Sequence, residues 1–283
     1  MAPGLLAVHA HADDETITMG GTLAHYAAAG VRTANVCCTD GRLATIVDPE
    51  MVEEEVRPRL GEVRHAELKA ACDILGVGEL HWLGYHDSGM EGSETNADPQ
   101  AFWMTPLDGI VERLVGIIRE FRPDVVVTYD AYGAYGHPDH VQAHRATLLA
   151  VEAAQHAKVF PEVGKPWRVS KLYYTAFARS SVDKIIEMAR MAGVESPFGD
   201  NPDAVEFGTP DELITARIDC GDFMEVKRRA LVAHKSQISA DFPLMKMPVE
   251  MVREHFPHEH YSLALSRVPV NPPEDDLFAG IAG

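Results

Sequence analysis

Leu5-Leu6-Ala7-Val8-His9-Ala10-His11-Ala12-Asp13-Asp14-Glu15 is the stretch that decides the fold. A short, uninterrupted apolar run is what a strand covered on both faces requires. It passes directly into imidazoles and carboxylates. Ile17 to Ala29 then has helical length, and Gly30 suits the residue just past a helix end. Working outward, Val31 to Cys38 reads as a second strand. A helix from Glu62 to Leu75 is stopped by Gly76, and Leu80 to Leu83 is a third strand. Leu107 to Phe121 is a further helix before the strand Asp124 to Tyr129. Strands alternating with helices predict an α/β fold with a mostly parallel sheet and crossover helices. In such sheets ligands bind beyond the carboxyl ends of the strands. The long polar segments Thr39–Pro58 and Gly84–Pro106 follow strands two and three, so they are expected to wall a substrate pocket.

Past residue 157 the pattern is looser. Strands are expected at Leu172–Phe177, Leu213–Ile218 and Tyr261–Leu265, and helices at Val182–Ala192 and Phe223–His234. The tail Val268–Pro273 is expected to be extended. No linker breaks the chain. Residues 1–283 are therefore read as a single catalytic domain, with a core over 1–156 and a smaller mixed C-terminal portion over 157–283 completing the pocket.

Composition narrows the partners. A formal net charge of -18 disfavours nucleic acid and anionic membranes. No run approaches the roughly 20 apolar residues of a membrane span. The start, Met1-Ala2-Pro3-Gly4, lacks the basic segment of a secretory signal. The 4 cysteines show no CxxC spacing, and Cys37 and Cys38 are adjacent, so they point to opposite faces of a strand. Free buried thiols fit a cytoplasmic protein. The expected partner is a small molecule, and nothing in the sequence bars a homo-oligomer.

Chemistry concentrates in two places. His11 and Asp14 leave the first strand in one turn and can reach one ion, while Asp13 between them is free to hold a water molecule. Three protein ligands plus water is the pattern of a catalytic zinc site. The third ligand is sought in Tyr135-Gly136-His137-Pro138-Asp139-His140, which follows the strand Val125-Val126-Val127 and offers both His137 and His140. Pro138 fits the first position of a helix. Asp139 is placed to orient His137 through a ring N–H. Iron(II) or cobalt would accept the same donors as zinc. These parts support hydrolysis: a metal polarises a carbonyl, a carboxylate takes a proton from water, and an imidazole steadies the oxyanion or protonates the leaving amine.

The strand–AHxDDE–helix opening and the later GHPDHV run together resemble the PIG-L/LmbE-like zinc deacetylases. Ala233-His234-Lys235-Ser236-Gln237-Ile238 carries a weaker likeness. The resemblance implies a Rossmann-like fold and N-acyl hydrolysis, typically of acetylated glucosamine units. By motif position it implies that His11, Asp14 and His140 bind zinc and that Asp13 is the general base. His137 would then serve the oxyanion or the amine, Asp139 would tune it, and Tyr135 would sit over the acyl group. Within the family the chain looks most like the mycothiol-pathway branch, whose members hydrolyse N-acetylglucosaminyl-inositol or the amide of mycothiol conjugates. His86-Asp87-Ser88-Gly89-Met90 resembles that branch's sugar-site loop, which implies substrate contacts for Asp87 and Met90. Arg64 matches a helix arginine implied to hold the inositol or its neighbours. The amidases carry a lysine near Thr18, which favours the deacetylase side here. Ala12 replaces the family's usual proline. Asp40-Gly41-Arg42 replaces its Gly-Glu, so Arg42 is expected to suit a carboxylate or phosphate on the substrate. Ala131-Tyr132-Gly133-Ala134 adds a bulky ring to the approach to the second motif.

Two other readings compete. His9 and His11 form an HxH pair on one strand face, as at the first strand of metal-dependent amidohydrolase barrels. A carbohydrate-binding protein on an inactive deacetylase scaffold is the non-enzymatic alternative. His144 is expected on a helix surface, and His255, His258 and His260 in a surface turn. Glu53-Glu54-Glu55 and Glu274-Asp275-Asp276 are expected to be solvated.

Overall fold

A computed structural model describes residues 2–192 and 208–282. Its core is a seven-stranded sheet of order β3-β2-β1-β4-β5-β7-β6. The strands are β1 (Gly4–His9), β2 (Arg32–Thr39), β3 (Glu79–Tyr85), β4 (Val125–Thr128), β5 (Lys171–Ala176), β6 (Ala216–Asp219) and β7 (His258–Ser266). Pairings among β1 to β5 are parallel, and β7 runs antiparallel to β5 and β6. The open sheet excludes the closed barrel of the HxH reading. The helices are α1 (Asp14–Ala28), α2 (Glu53–Val56), α3 (Leu60–Leu75), α4 (Leu107–Phe121), α5 (Gly133–Gly136), α6 (Pro138–Ala154), α7 (Arg179–Ala192), α8 (Met224–Ala233), α9 (Pro243–Lys246) and α10 (Val249–His255).

The apolar runs are explained by two cores. Alternate residues of β1 point to opposite faces. Leu6 and Val8 pack with Ile110 and Leu114 of α4 and Ala143 of α6. Leu5 and Ala7 pack with Met19 and Leu23 of α1 and Met224 of α8. In α4 the buried residues Ile110, Val111, Leu114, Val115 and Ile118 make the stripe that a helix lays on a sheet. The helix ends where Arg122 turns left-handed, at φ 57, ahead of Pro123.

Helix α1 begins at Asp14, three residues before the apolar pattern suggests, and it breaks at Met19 (φ -148). The break frees the amides of Gly21 and Thr22. The carboxylate of Glu259 on β7 accepts both, at 2.9 and 2.7 Å. Lys227 Nζ closes the set by donating to Ile17 O and Glu259 Oε1.

The second half corrects several expectations. Asp211–Leu213 forms a single 3-10 turn, and the strand starts only at Ala216. His258 and His260 lie on β7, not in a turn. Glu274 is buried against Lys171 and Tyr173 instead of being solvated. His144 is buried too, with Nδ1 2.9 Å from Tyr129 O. All four cysteines are free and buried, as expected. Among the described residues no helix is long and apolar enough to cross a membrane.

The order β2-β1-β4 contains the switch point. Successive connections leave β1 and β4 in opposite directions, which opens a crevice at their carboxyl ends. The residues following these two strands, from Ala10 and from Tyr129, meet there.

Candidate metal centre

Each functional side chain is set by a local device. Asp13 adopts φ 122 and ψ -29, a region costly for a residue with a side chain. The turn is held because Asp13 O accepts from the amides of Thr16 and Ile17, while Asp13 N donates to Glu15 Oε2 at 3.0 Å. Glu15 is itself fixed by His234 Nε2 at 2.9 Å and by the Thr16 hydroxyl at 2.5 Å. Burial would lower the proton affinity of His234, but Glu15 beside it raises it above the ordinary value. On the other side of the crevice, His137 caps α6. Its Nδ1 accepts from Asp139 N at 3.1 Å, so the ring proton sits on Nε2.

Three acceptor atoms then converge. His140 Nδ1 faces the carbonyl of Gly133 at 3.2 Å. A carbonyl only accepts, so the proton is on Nδ1 and the lone pair on Nε2. By the same logic His11 Nε2 donates to Asp139 Oδ2 at 3.2 Å, which makes Nδ1 the atom turned to the triangle. His11 Nδ1 and His140 Nε2 are 3.1 Å apart, and Asp14 Oδ2 lies 3.5 and 3.4 Å from them. A tetrahedral ion at zinc–ligand distances spaces its donors by about 3.4 Å. The spacing of the triangle therefore fits a divalent cation. Two further groupings, His11–His137–His140 and His11–Asp87–His137–Asp139, also bring potential ligand atoms within 4.8 Å of one another. In these, His137 Nδ1 is already occupied by an amide, and Asp139 accepts from the amide and hydroxyl of Ser88.

The electrostatics agree. Burial works against the charged form of Asp14, but His140 and His11 hold its carboxyl well below the usual range. Burial should lower His11, yet Asp139, Asp14 and Asp87 raise it well above the ordinary value. The bare centre thus attracts positive charge. Burial, with His11 and its partner ring adjacent, lowers His137 to about 4. His140 is lowered to about 4 by burial in spite of Asp14. Both rings are therefore neutral at pH 7. Asp13 is raised to about 6 by burial, which outweighs the pull of Arg64.

The centre opens into a cleft of about 450 Å³. Leu43 and Thr45 from one expected wall line it, as do Asp87 and Met90 from the other. Tyr135 lies over the rings, 4.9 Å from His140 between centroids. Arg64 lines the cleft but is mostly committed to the protein. Its Nη1 donates to Gly41 O at 3.0 Å, and its Nη2 to Ala12 O at 2.6 Å with Asp13 Oδ2 3.3 Å away. Gly41 is needed there: its φ is +59, and a Cβ would stand 2.2 Å from Arg64 Nη1. Asp87 accepts from Gly89 N at 2.8 Å and from Leu43 N at 3.3 Å.

Several assignments change in the structure. Asp139 steadies His11 with its carboxylate and meets His137 only through its backbone amide. Arg42 is paired with Asp40, Nε–Oδ2 2.6 Å, and does not line the cleft. His9 points to Asn35 Oδ1 and Thr18 Oγ1, each at 3.2 Å, and is not part of the triangle. Tyr129 was missed. Its hydroxyl donates to Asp14 Oδ2 at 2.6 Å and accepts from Ala10 N at 2.7 Å. Ser88, Glu15 and His234 were likewise missed as supports.

The GlcNAc-PI de-N-acetylase (PIG-L) family model matches residues 6–151, which contain both motifs. A 1D-myo-inositol 2-acetamido-2-deoxy-alpha-D-glucopyranoside deacetylase of Geodermatophilus obscurus is 42% identical, over 99% of this chain and 98% of that protein. A mycothiol S-conjugate amidase of Streptomyces coelicolor is 38% identical, over 98% and 97%. The N,N'-diacetylchitobiose deacetylase of Pyrococcus horikoshii superposes with a TM-score of 0.64 at 21% identity, over 93% of this chain and 84% of that one, which speaks for the fold. A match over half the chain, joined to full-length relatives at this identity, means that the protein belongs to the PIG-L family of de-N-acetylases.

Proposed function

We propose that the protein hydrolyses the N-acetyl group of a small amino-sugar glycoside of the glucosaminyl-inositol type, releasing acetate and a free amine. The observation that carries this reading is the triangle of His11 Nδ1, Asp14 Oδ2 and His140 Nε2, with Asp13 beside it. We assign those three residues as the metal ligands and zinc as the ion. The bound cation supplies Lewis acidity, polarising the amide carbonyl and acidifying water.

The chain's residues supply the rest. Asp13 takes the proton from the attacking water and returns it to the amide nitrogen as the C–N bond breaks, a task suited to a carboxylate whose affinity is raised toward neutrality. His137 is neutral and protonated on Nε2, so it donates to the carbonyl oxygen as that oxygen gains negative charge. Asp139 holds His11 in the tautomer that leaves Nδ1 free. Tyr135 covers the acyl group. Asp87, Met90 and Arg64 line the sugar side of the cleft. Phe177 and Gln237 also line it, which supports one catalytic unit spanning both halves of the chain. Four unpaired buried thiols support a cytoplasmic setting.

The conjugate-amidase relative supports a second reading, cleavage of a larger amide. The resemblance implies a lysine near Thr18 in the amidases, and Thr18 lines the cleft here, which favours the deacetylase. The test is primary-amine release from N-acetylglucosaminyl-inositol and from a mycothiol S-conjugate, with metal content measured in wild type and His140→Ala. Amine release together with one ion per chain, and loss of both in His140→Ala, is expected. Full metal occupancy in His140→Ala would overturn the ligand assignment.

A further inference from the structure

The large apolar side chains left exposed are unevenly spread. Tyr132 (65%), Leu213 (55%), Tyr135 (45%) and Phe177 (38%) surround a second cavity of about 430 Å³. This chamber shares Ala134, Tyr135 and Phe177 with the metal cleft, so the two spaces adjoin. Single exposed apolar residues are ordinary, but a concave group of them marks a binding site. Its volume lies within the range of small-molecule pockets.

The wall is constructed, not incidental. Asp130 Oδ1 accepts from the amides of Tyr132 and Ala134, each at 3.0 Å, which holds the loop after β4 in place. Ala134 adopts φ 63, a conformation that costs energy for alanine. Gly136 has φ +85, and a Cβ there would lie 3.1 Å from the Tyr132 hydroxyl. The ring of Tyr132 thus rests on a glycine that leaves room for it. These amides occupy Asp130 Oδ1, and the rings of Tyr132, Tyr135 and Phe177 with the Leu213 side chain give the chamber its apolar surface.

We propose that this chamber binds an apolar arm of the amide substrate, an aryl or short alkyl group carried on either side of the scissile bond. The proposal rests on the reading of the cleft as an N-acyl amino-sugar hydrolase and names the substrate class more closely.

Two matched pairs test it. One compares the methyl and benzyl glycosides of N-acetylglucosamine. The other compares N-acetyl and N-phenylacetyl groups on the methyl glycoside. At least one aryl compound should exceed its parent in kcat/KM by about tenfold or more. Tyr132→Ser and Leu213→Ser should remove that gain and leave the methyl N-acetyl compound unchanged. Which pair responds identifies the side of the amide that enters the chamber. Equal kcat/KM within both pairs, or a gain that survives both substitutions, overturns the proposal. So does a preference for an N-acetylated disaccharide over both aryl compounds. If no amide is cleaved, the hydrolase reading fails separately, and calorimetric binding of benzyl glucoside, which has no amide, decides the chamber alone. Affinity about tenfold weaker in Tyr132→Ser supports it, and equal affinity ends it.

Discussion

Two buried polar clusters lie at opposite ends of the same sheet. Where β5 begins, Lys171 Nζ meets Glu274 Oε2 at 2.8 Å, and the Tyr173 hydroxyl donates to the same oxygen at 2.8 Å. Donors face an acceptor, and the charges cancel. At the carboxyl end of β1, two imidazole nitrogens and a carboxylate oxygen face one another at 3.1 to 3.5 Å. Ligand-type atoms crowd one point, and a backbone at φ 122 delivers a further carboxylate. Burial of a polar group is costly unless it is paired. The first cluster meets that requirement within the chain and pins the C-terminal tail to the sheet. In the second, the Tyr129 hydroxyl serves Asp14, but two imidazole nitrogens are left 3.1 Å apart, a spacing suited to a shared cation. Burial alone therefore does not separate structural from functional polar groups; the match of donors to acceptors does.

The contrast can be broken by substitution. The largest effect is expected for Asp13→Asn, which keeps the shape but cannot take a proton. kcat should fall by about 10² to 10⁴ with metal content intact, and near-normal turnover would remove Asp13 as the base. Lys171→Met should leave activity per folded molecule unchanged while costing about 3–5 kcal/mol of stability, because Glu274 is left buried without its cation. Denaturant unfolding reads this, and a kcat loss larger than the loss of folded protein would contradict a purely structural role. Asp139→Asn sharpens the corrected assignment. If its carboxylate serves His11, metal affinity should weaken by about 10- to 100-fold; competition with a chelator measures it, and unchanged affinity would return Asp139 to His137. The smallest effect concerns pH. Asp13 must be ionised to act, so kcat/KM should fall as pH drops through the pKa of its carboxyl, by about tenfold per pH unit. In the bare protein that pKa is about 6. A cation alongside favours the ionised form, so in the loaded enzyme the acid limb should lie at or below that value. An acid limb centred above pH 7 would break the assignment.

How much of this was written in the chain depends on distance along it. The strands β1 and β4 were legible because burial on both faces demands unbroken apolar runs. The two motifs were legible because each is local. Where the reading failed, the deciding contact came from elsewhere. Asp139 was matched to His137, two residues before it, but its carboxylate reaches His11 across the crevice. Glu15 was read with its neighbours, whereas its partner His234 comes from the far end of α8. Tyr129 closes the first strand–turn only because β4 lies beside β1. His144 is a different case. It stands one helical turn from His140, so α6 carries both toward the sheet, and periodicity alone would have placed it inside. In the second half, β6 and β7 are antiparallel and partly exposed, and their shorter apolar runs left the boundaries open.

Arg64 carries one more implication. A single guanidinium grips the loop at Gly41, the carbonyl of Ala12 and the edge of Asp13. The loop that greets the substrate and the turn that presents the base thus share one fastener. Engineers who redraw Leu43–Thr45 to admit new molecules should find turnover drifting along with selectivity, since neither end of that strap can be re-tensioned alone.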